Sequence, residues 1–259
     1  MGNSWMANSA ALLEAYARHN DDLPGVVRQR LLDRAITAHL PPGPARVVDV
    51  GGGAGFQAVG LARAGHEVVL LDPDPAMLAD AARRLADEPG QVRDRVRLVQ
   101  GYGEQAPELV GGGFDLVCCH GILMYVDDPA LLLRSVTALA RPGGLLSVLA
   151  KNAESVAMRP ALEGRWSDAV ATLRTGVDAG GRTVDTRADT VEGVSGLLAA
   201  AGARPRAWYG LRIFTDHLRD VPGEAELDQL CELEWEAGRR DPYRRVARLF
   251  HVVAERDPA

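Results

Sequence analysis

The sequence predicts an α/β fold: a mostly parallel sheet of seven strands with helices packed on both faces. Three observations carry this expectation. Short runs rich in Val and Leu alternate with helical patterns from residue 46 to residue 151. The first run, Val47 to Val50, breaks into a cluster of glycines, as a tight strand-to-helix turn requires. Two late apolar runs then depart from the alternation and read as a terminal antiparallel pair.

In chain order, residues 8–20 and 25–39 have amphipathic helical patterns, and the second stops at the PPGP of 41–44. RVVDV (46–50) is the first strand and Gly55 to Ala64 the helix after it. HEVVLLD (66–72) is the second strand, followed by a helix over 74–88 whose apolar period lies in PAMLADAARRLA. RVRLVQG (95–101) and FDLVCCH (114–120) are the third and fourth strands. DPALLLRSVTALA (128–140) is a helix closed by Arg141-Pro142-Gly143-Gly144, and LLSVLAK (145–151) is the fifth strand. Parallel strands at this spacing need right-handed crossovers. Residues 152–186 lose the rhythm and read as an inserted lid. A helix over 190–202, a strand over 203–214, a charged helix over 223–240 and a strand over 247–256 complete one expected domain, 1–259.

Composition narrows the class. The 259 residues are 47% hydrophobic and 25% charged, which suits a folded core of one sizeable domain. A formal net charge of −6 does not suit a general polyanion binder, although it leaves room for local basic patches. No apolar run is long enough to span a bilayer, and the first twenty residues lack the basic start and apolar stretch of a secretory signal. Met6 stands where a myristoylation signal needs Ser or Thr. Cys118 and Cys119 are adjacent on a strand and so face opposite sides of the sheet, Cys231 stands apart, and no Cys or His spacing suggests zinc. Reduced thiols, a cytoplasmic location and no metal are the expectation.

The glycines sit where an open α/β sheet binds ligands, at the carboxyl ends of its strands. The run is Asp49-Val50-Gly51-Gly52-Gly53-Ala54-Gly55. A dinucleotide fingerprint fails because its third glycine position falls on Phe56, and no Gly-Lys-Ser/Thr follows for a phosphate loop. The pattern Asp-x-Gly-x-Gly-x-Gly instead resembles the first motif of the class I S-adenosylmethionine (SAM) methyltransferases, a Rossmann-like family. That resemblance implies a cofactor with an amino-acid tail, a sulfonium and an adenosine, held by Asp49, Gly51, Gly52 and Gly53. Asp72 ends the second strand, where a carboxylate can accept hydrogen bonds from both ribose hydroxyls. Gly103 and Glu104, after the third strand, would lie beside the adenine.

A narrower resemblance extends along nearly the whole chain. GVVRQRLL (25–32), VVDVGGGAG (47–55), FDLVCCHGILMYVDDP (114–129), ALARPGGLLSVLAKNAE (138–154), LRIFTDHLRD (211–220) and ELEWEAGRRDPYRRVARLFHVVAERDP (232–258) are similar to the tRNA 5-carboxymethoxyuridine methyltransferases. The resemblance implies cofactor contacts at Arg28, Gly51, Gly52, Asp72, Gly103, Glu104 and His120. Arg28 would pair with the cofactor's carboxylate, and His120 would lie beside the transferring methyl. It implies a tRNA wobble carboxylate as the acceptor. The lid departs from that family: in place of a basic stretch it scatters Arg159, Arg165 and Arg174.

A carboxylate acceptor is already ionised at neutral pH, so no general base is needed. A cation or donor that orients it is useful, and Arg212, Tyr243 and Asn152 are the candidates. Arg239, Arg240, Arg244 and Arg245, with Arg248 beyond, are candidates for phosphate contacts, and Trp166 and Trp208 for base stacking. The alternatives are a small-molecule O- or N-methyltransferase of secondary metabolism on the same scaffold, and a non-catalytic SAM-binding protein.

Overall fold

In the computed structural model, which describes residues 22–176, 186–218 and 220–258, each expected strand forms. They are Arg46–Val50 (β1), Glu67–Asp72 (β2), Val96–Gln100 (β3), Phe114–His120 (β4), Ala140–Lys151 (β5), Ala203–Leu211 (β6) and Leu249–Arg256 (β7). They make one sheet in the order β3-β2-β1-β4-β5-β7-β6. β1 to β5 are mutually parallel, and β7 runs antiparallel to both β5 and β6. The chain leaves β1 toward β2 and β3 and returns on the other side to β4. The carboxyl ends of β1 and β4 therefore flank the switch point at which such sheets open a crevice.

The principal helices are Leu23–His39 (α1), Phe56–Arg63 (α2), Pro75–Ala86 (α3), Pro129–Leu139 (α6), Val191–Ala200 (α9) and Glu224–Ala237 (α10). Shorter ones lie at Gly90–Arg93 (α4), Ala106–Val110 (α5), Met158–Leu162 (α7) and Trp166–Thr175 (α8). Three starts share one chemistry: Asp22, Asp74 and Asp128 cap α1, α3 and α6, each with proline in the first two helical positions. The aspartate carboxylate accepts an orphan N–H, and proline has none to lose. Two apolar clusters cover the two faces of the sheet. One gathers Val27, Leu31, Val47, Leu70, Leu116 and Leu149 with α1; the other gathers Val48, Val50, Val117, Leu133, Val136 and Val148 with α6.

The differences from the sequence expectation have local causes. β5 begins at Ala140, so the Arg141-Pro142-Gly143-Gly144 segment is strand, and a register shift between Phe114 and Leu116 takes up the irregularity. β6 ends at Leu211 because Arg212 adopts φ 64° and turns the chain out of the sheet. The lid contains α7 and α8, and its residues 177–185 lie outside the described residues, as does the helix expected over 8–20. Cys118, Cys119 and Cys231 are free thiols, the first two buried. Among the described residues no helix is long and apolar enough to cross a membrane.

Candidate active site

The glycine loop follows directly from the packing at the end of β1. Gly51 has φ 69°, and a Cβ there would collide with the Ile122 side chain. A Cβ on Gly52 would lie 2.7 Å from both Asp49 Oδ2 and Leu70 Cγ, neither of which has room to retreat. The Gly53 N–H donates to Asp72 Oδ2 at 2.9 Å, tying the loop to the tip of β2. Gly55, at φ 80°, starts α2 without a side-chain cap. The result is a cradle of bare main chain beside two buried carboxylates.

Those carboxylates are at high cost. Asp72 accepts from the Gly53 and Asp74 N–H groups, yet burial outweighs both and pushes it up to about 6. Asp49 is 2% exposed, its Oδ2 has no hydrogen-bond partner, and burial followed by the Asp72 charge pushes it up to about 7. An unpartnered, buried carboxylate oxygen next to a bare loop fits the ammonium of an amino-acid tail. Asp72 keeps a second lone pair on each oxygen for vicinal hydroxyls. The residues present therefore fit a zwitterionic nucleoside.

His120 ends β4 on the same face as Asp49. Burial first, and then the Arg28 charge, hold its imidazole down to about 3. Its Nε2 meets Ser147 Oγ at 2.8 Å, and its Nδ1 has no partner. A carboxylate oxygen of Asp49, Cys118 Sγ and a ring nitrogen of His120 lie within 4.8 Å of one another, a donor set that could hold a metal ion. Short Cys and His spacings along the chain, from which no metal is expected, do not reveal such a set. This set is split between neighbouring strands, through the Asp49–Cys118 register. Gly103 follows β3; a Cβ there would meet Leu132 and Val50, and its carbonyl accepts from Ser135 Oγ at 2.7 Å. Glu104, next to it, is half-buried.

Arg28, on α1, connects this cleft to a second group. Its charge depresses His120 and also Arg212. Arg212 is 7% exposed and ion-paired with Asp216. Arg248 Nε and Arg159 Nε lie 3.8 and 3.9 Å from Asp216 Oδ2. Burial, against the pull of Asp216 and with the push of Arg28, Arg248 and Arg159, brings Arg212 down to about 10. Its Nε has no partner among the described residues. The turn that presents it is held by Glu234, fully buried on α10, which accepts from the Ile213 and Phe214 N–H groups and from Thr215 Oγ1 at 2.9 to 3.0 Å. Asp216 and Glu234 were not singled out from sequence. The Arg-to-Asp spacing of four residues was the available signal for Asp216; nothing local marked Glu234, because it sits on a helix rich in acids.

The other two orienting candidates have different settings. Asn152 is buried and spends its amide on the backbone. Its Nδ2 donates to the Arg245 and Ala247 carbonyls at 2.9 Å, and its Oδ1 accepts the Glu154 N–H at 3.0 Å. It braces the segment before β7. Tyr243 is 52% exposed, outside the buried arginine group. The basic run is largely paired on the surface: Arg239 and Arg240 with Glu236, Arg244 and Arg245 with Asp241. Arg244 also stacks over Trp208, 3.9 Å from the ring centre. Trp166 stands out on the lid at 73% exposure, while Arg165 is tied to Glu163 and Asp168.

Residues 48–146 match the family model described as a methyltransferase domain. The chain is 30% identical over 239 residues to the tRNA 5-carboxymethoxyuridine methyltransferase of Escherichia coli K12, covering 90% of this chain and 89% of that protein. A SAM-dependent methyltransferase of Thermotoga maritima, described as a possible histamine N-methyltransferase, superposes with a TM-score of 0.61 at 17% identity, over 98% of this chain and all of that one. The glycopeptide N-methyltransferase MtfA in complex with SAM superposes with a TM-score of 0.55 at 16% identity, over 87% of this chain and 92% of that one.

Proposed function

The chain belongs to the class I SAM-dependent methyltransferases, and from that premise we propose that it methylates a carboxylate, with 5-carboxymethoxyuridine at a tRNA wobble position as the acceptor. The observation that carries this reading is Arg212: buried, its Nε without a partner among the described residues, ion-paired with Asp216 and pushed by Arg28, Arg248 and Arg159, the last of which also pairs with Glu163. Such a field favours an anionic visitor, since an ionised acceptor relieves the mutual repulsion of the arginines. The E. coli relative named for this tRNA reaction supplies the substrate class.

When bound, SAM supplies a methyl group already activated on a sulfonium. The protein's share is placement and exclusion of water. Asp49 takes the ammonium, Arg28 the carboxylate, and Asp72 the ribose hydroxyls. The bare main chain at Gly51 to Gly53 gives the nucleoside room, with Gly103 and Glu104 alongside the adenine. Arg212 steers the acceptor through Nε. Because another of its nitrogens is engaged by Asp216, it does not clamp both acceptor oxygens, which would blunt their nucleophilicity. No base is required. Asn152 acts indirectly, by fixing the segment that carries Arg248; Tyr243 and the Arg244–Trp208 stack are left to contact the RNA from the surface. Phosphates must compete there with Glu236 and Asp241, and each phosphate contact that is made adds a salt-dependent contribution to tRNA binding.

The test is transfer of labelled methyl from SAM to tRNA bearing the free carboxymethoxy group, followed by nucleoside analysis. Label in the methyl ester is expected. No label in tRNA, with label in a small carboxylic acid instead, overturns the substrate. Arg212→Ala should lower kcat/KM by about a hundredfold or more, the scale of losing a charged hydrogen bond in a closed site. Its SAM affinity should stay within about threefold of the parent; unchanged turnover removes the steering role.

A further inference from the structure

Ser147, in mid-strand on β5 and 1% exposed, places its hydroxyl between two imidazoles. His120 Nε2, from β4, is 2.8 Å from Oγ, and His251 Nε2, from β7, is 2.7 Å from it. The register explains the meeting. His120, Leu149 and His251 are paired across three strands, and Ser147 lies two residues before Leu149 on the same face. The rings stand edge to face with centroids 5.9 Å apart. Among the described residues neither Nδ1 has a hydrogen-bond partner, and both are buried.

Both rings turn their nitrogens into the sheet, where the only hydrogen-bond partner each meets among the described residues is the neutral serine hydroxyl, so each is a neutral imidazole. Each ring then has one N–H and one lone pair, and the serine has one proton. Three arrangements satisfy both contacts. If His120 donates to Ser147 and Ser147 to His251, the remaining N–H of His251 sits at Nδ1, deep in the sheet, with nothing to accept it. If both rings donate, the serine proton is stranded. If His251 donates to Ser147 and Ser147 to His120, His251 keeps only an unused lone pair, and the surplus N–H appears on His120 Nδ1. The first and third arrangements each leave one Nδ1–H without an acceptor among the described residues. They differ in where it lies: on His251 it is sealed within the sheet, whereas on His120 it is on the ring that neighbours Asp49, whose Oδ2 is itself without a partner, and a buried donor costs least where an acceptor group adjoins it.

We propose that Ser147 and His251 are positioning residues that form a one-way hydrogen-bond relay, His251 to Ser147 to His120, fixing His120 as an Nδ1–H donor at the carboxyl end of β4. The consequence for binding rests on the proposed reading in which that end receives the cofactor's amino-acid tail. There the relay presents a hydrogen, rather than a second lone pair, to the carboxylate end of that zwitterionic tail.

The experiment uses the full chain with nitrogen-15-labelled histidine and multiple-bond proton–nitrogen correlation spectra, the two rings being assigned from single substitutions. Without cofactor, His120 should carry its proton on Nδ1 and His251 on Nε2; the opposite assignment, or Nε2–H on both rings, overturns the relay. Ser147→Ala should scramble the His120 tautomer and weaken SAM binding by about tenfold. If that variant does not fold, His251→Leu tests the same link by removing the donor, and His251→Gln, whose amide N–H can replace it, should restore the His120 signature. Retention of the Nδ1–H signature in His251→Leu overturns the proposal. A scrambled tautomer with unaltered SAM affinity leaves the relay standing and refutes instead the reading that His120 faces the cofactor.

Discussion

Replacing Asp49 by Asn should stabilise the cofactor-free protein while damaging its ability to bind SAM. The carboxylate is held at about 7 against an ordinary 3.8, and at about 1.4 kcal/mol per pH unit that gap corresponds to about 4 kcal/mol. The effective dielectric at buried protein sites exceeds that of a dry interior, which leaves about 2 kcal/mol. The pKa is raised on folding, so between about pH 4 and pH 7 the native state holds a proton that the unfolded chain has released. Stability therefore falls as pH rises through that window, and the penalty is complete above it. Asparagine has the same shape and no charge. Its advantage should be absent near pH 4 and reach about 4–8 °C in Tm above pH 7.5, at about 2–4 °C per kcal/mol for a chain of this size. SAM affinity should drop by about ten- to a hundredfold, the loss of a hydrogen bond between charged groups. Thermal unfolding followed by circular dichroism from pH 4.5 to 8.5, with calorimetric titration of SAM at pH 8, measures both. A Tm difference that does not grow with pH, or SAM binding equal to the parent's, refutes the assignment of Asp49 as a strained carboxylate waiting for a cation.

Gly52→Ala should cost about 1–3 kcal/mol by overpacking, because its Cβ would press on Leu70 and Asp49 at 2.7 Å; denaturant unfolding and SAM titration should both record a loss, and full SAM affinity would contradict the close-approach role of the loop. Asn152→Ala removes donors to two carbonyls, at Arg245 and Ala247, and should lower stability by about 2–3 kcal/mol. At a temperature where the variant is folded its SAM affinity should match the parent's, whereas a large loss of turnover without loss of stability would give Asn152 the direct catalytic role that the structure does not suggest.

Much of this protein is legible in the sequence because its signals are local. Alternating Val- and Leu-rich runs and helical periods specify βαβ units, aspartate-proline pairs mark the starts of α3 and α6, and Asp49 to Gly55 reads as a strand-to-turn transition with room for a ligand. The last two apolar runs also read as strands, although β7 is buried on both faces over 249–254 and shows no alternation. What only the tertiary structure decided are the meetings between residues far apart in the chain. Ser147 between His120 and His251 exists because β7 inserts antiparallel beside β5, and Asp49 next to Cys118 because β1 pairs with β4. Glu234 holds the Arg212 turn from a helix that reads in sequence as merely charged. Asn152, after the fifth expected strand, and Arg212, within the strand expected over 203–214, looked equivalent as groups to orient the acceptor. The fold separates them, because the amide of one is consumed by neighbouring backbone and the guanidinium of the other is left with a free donor in a desolvated, positive site. Propensity acts over a few residues, whereas hydrogen-bond satisfaction and burial are properties of the assembled sheet.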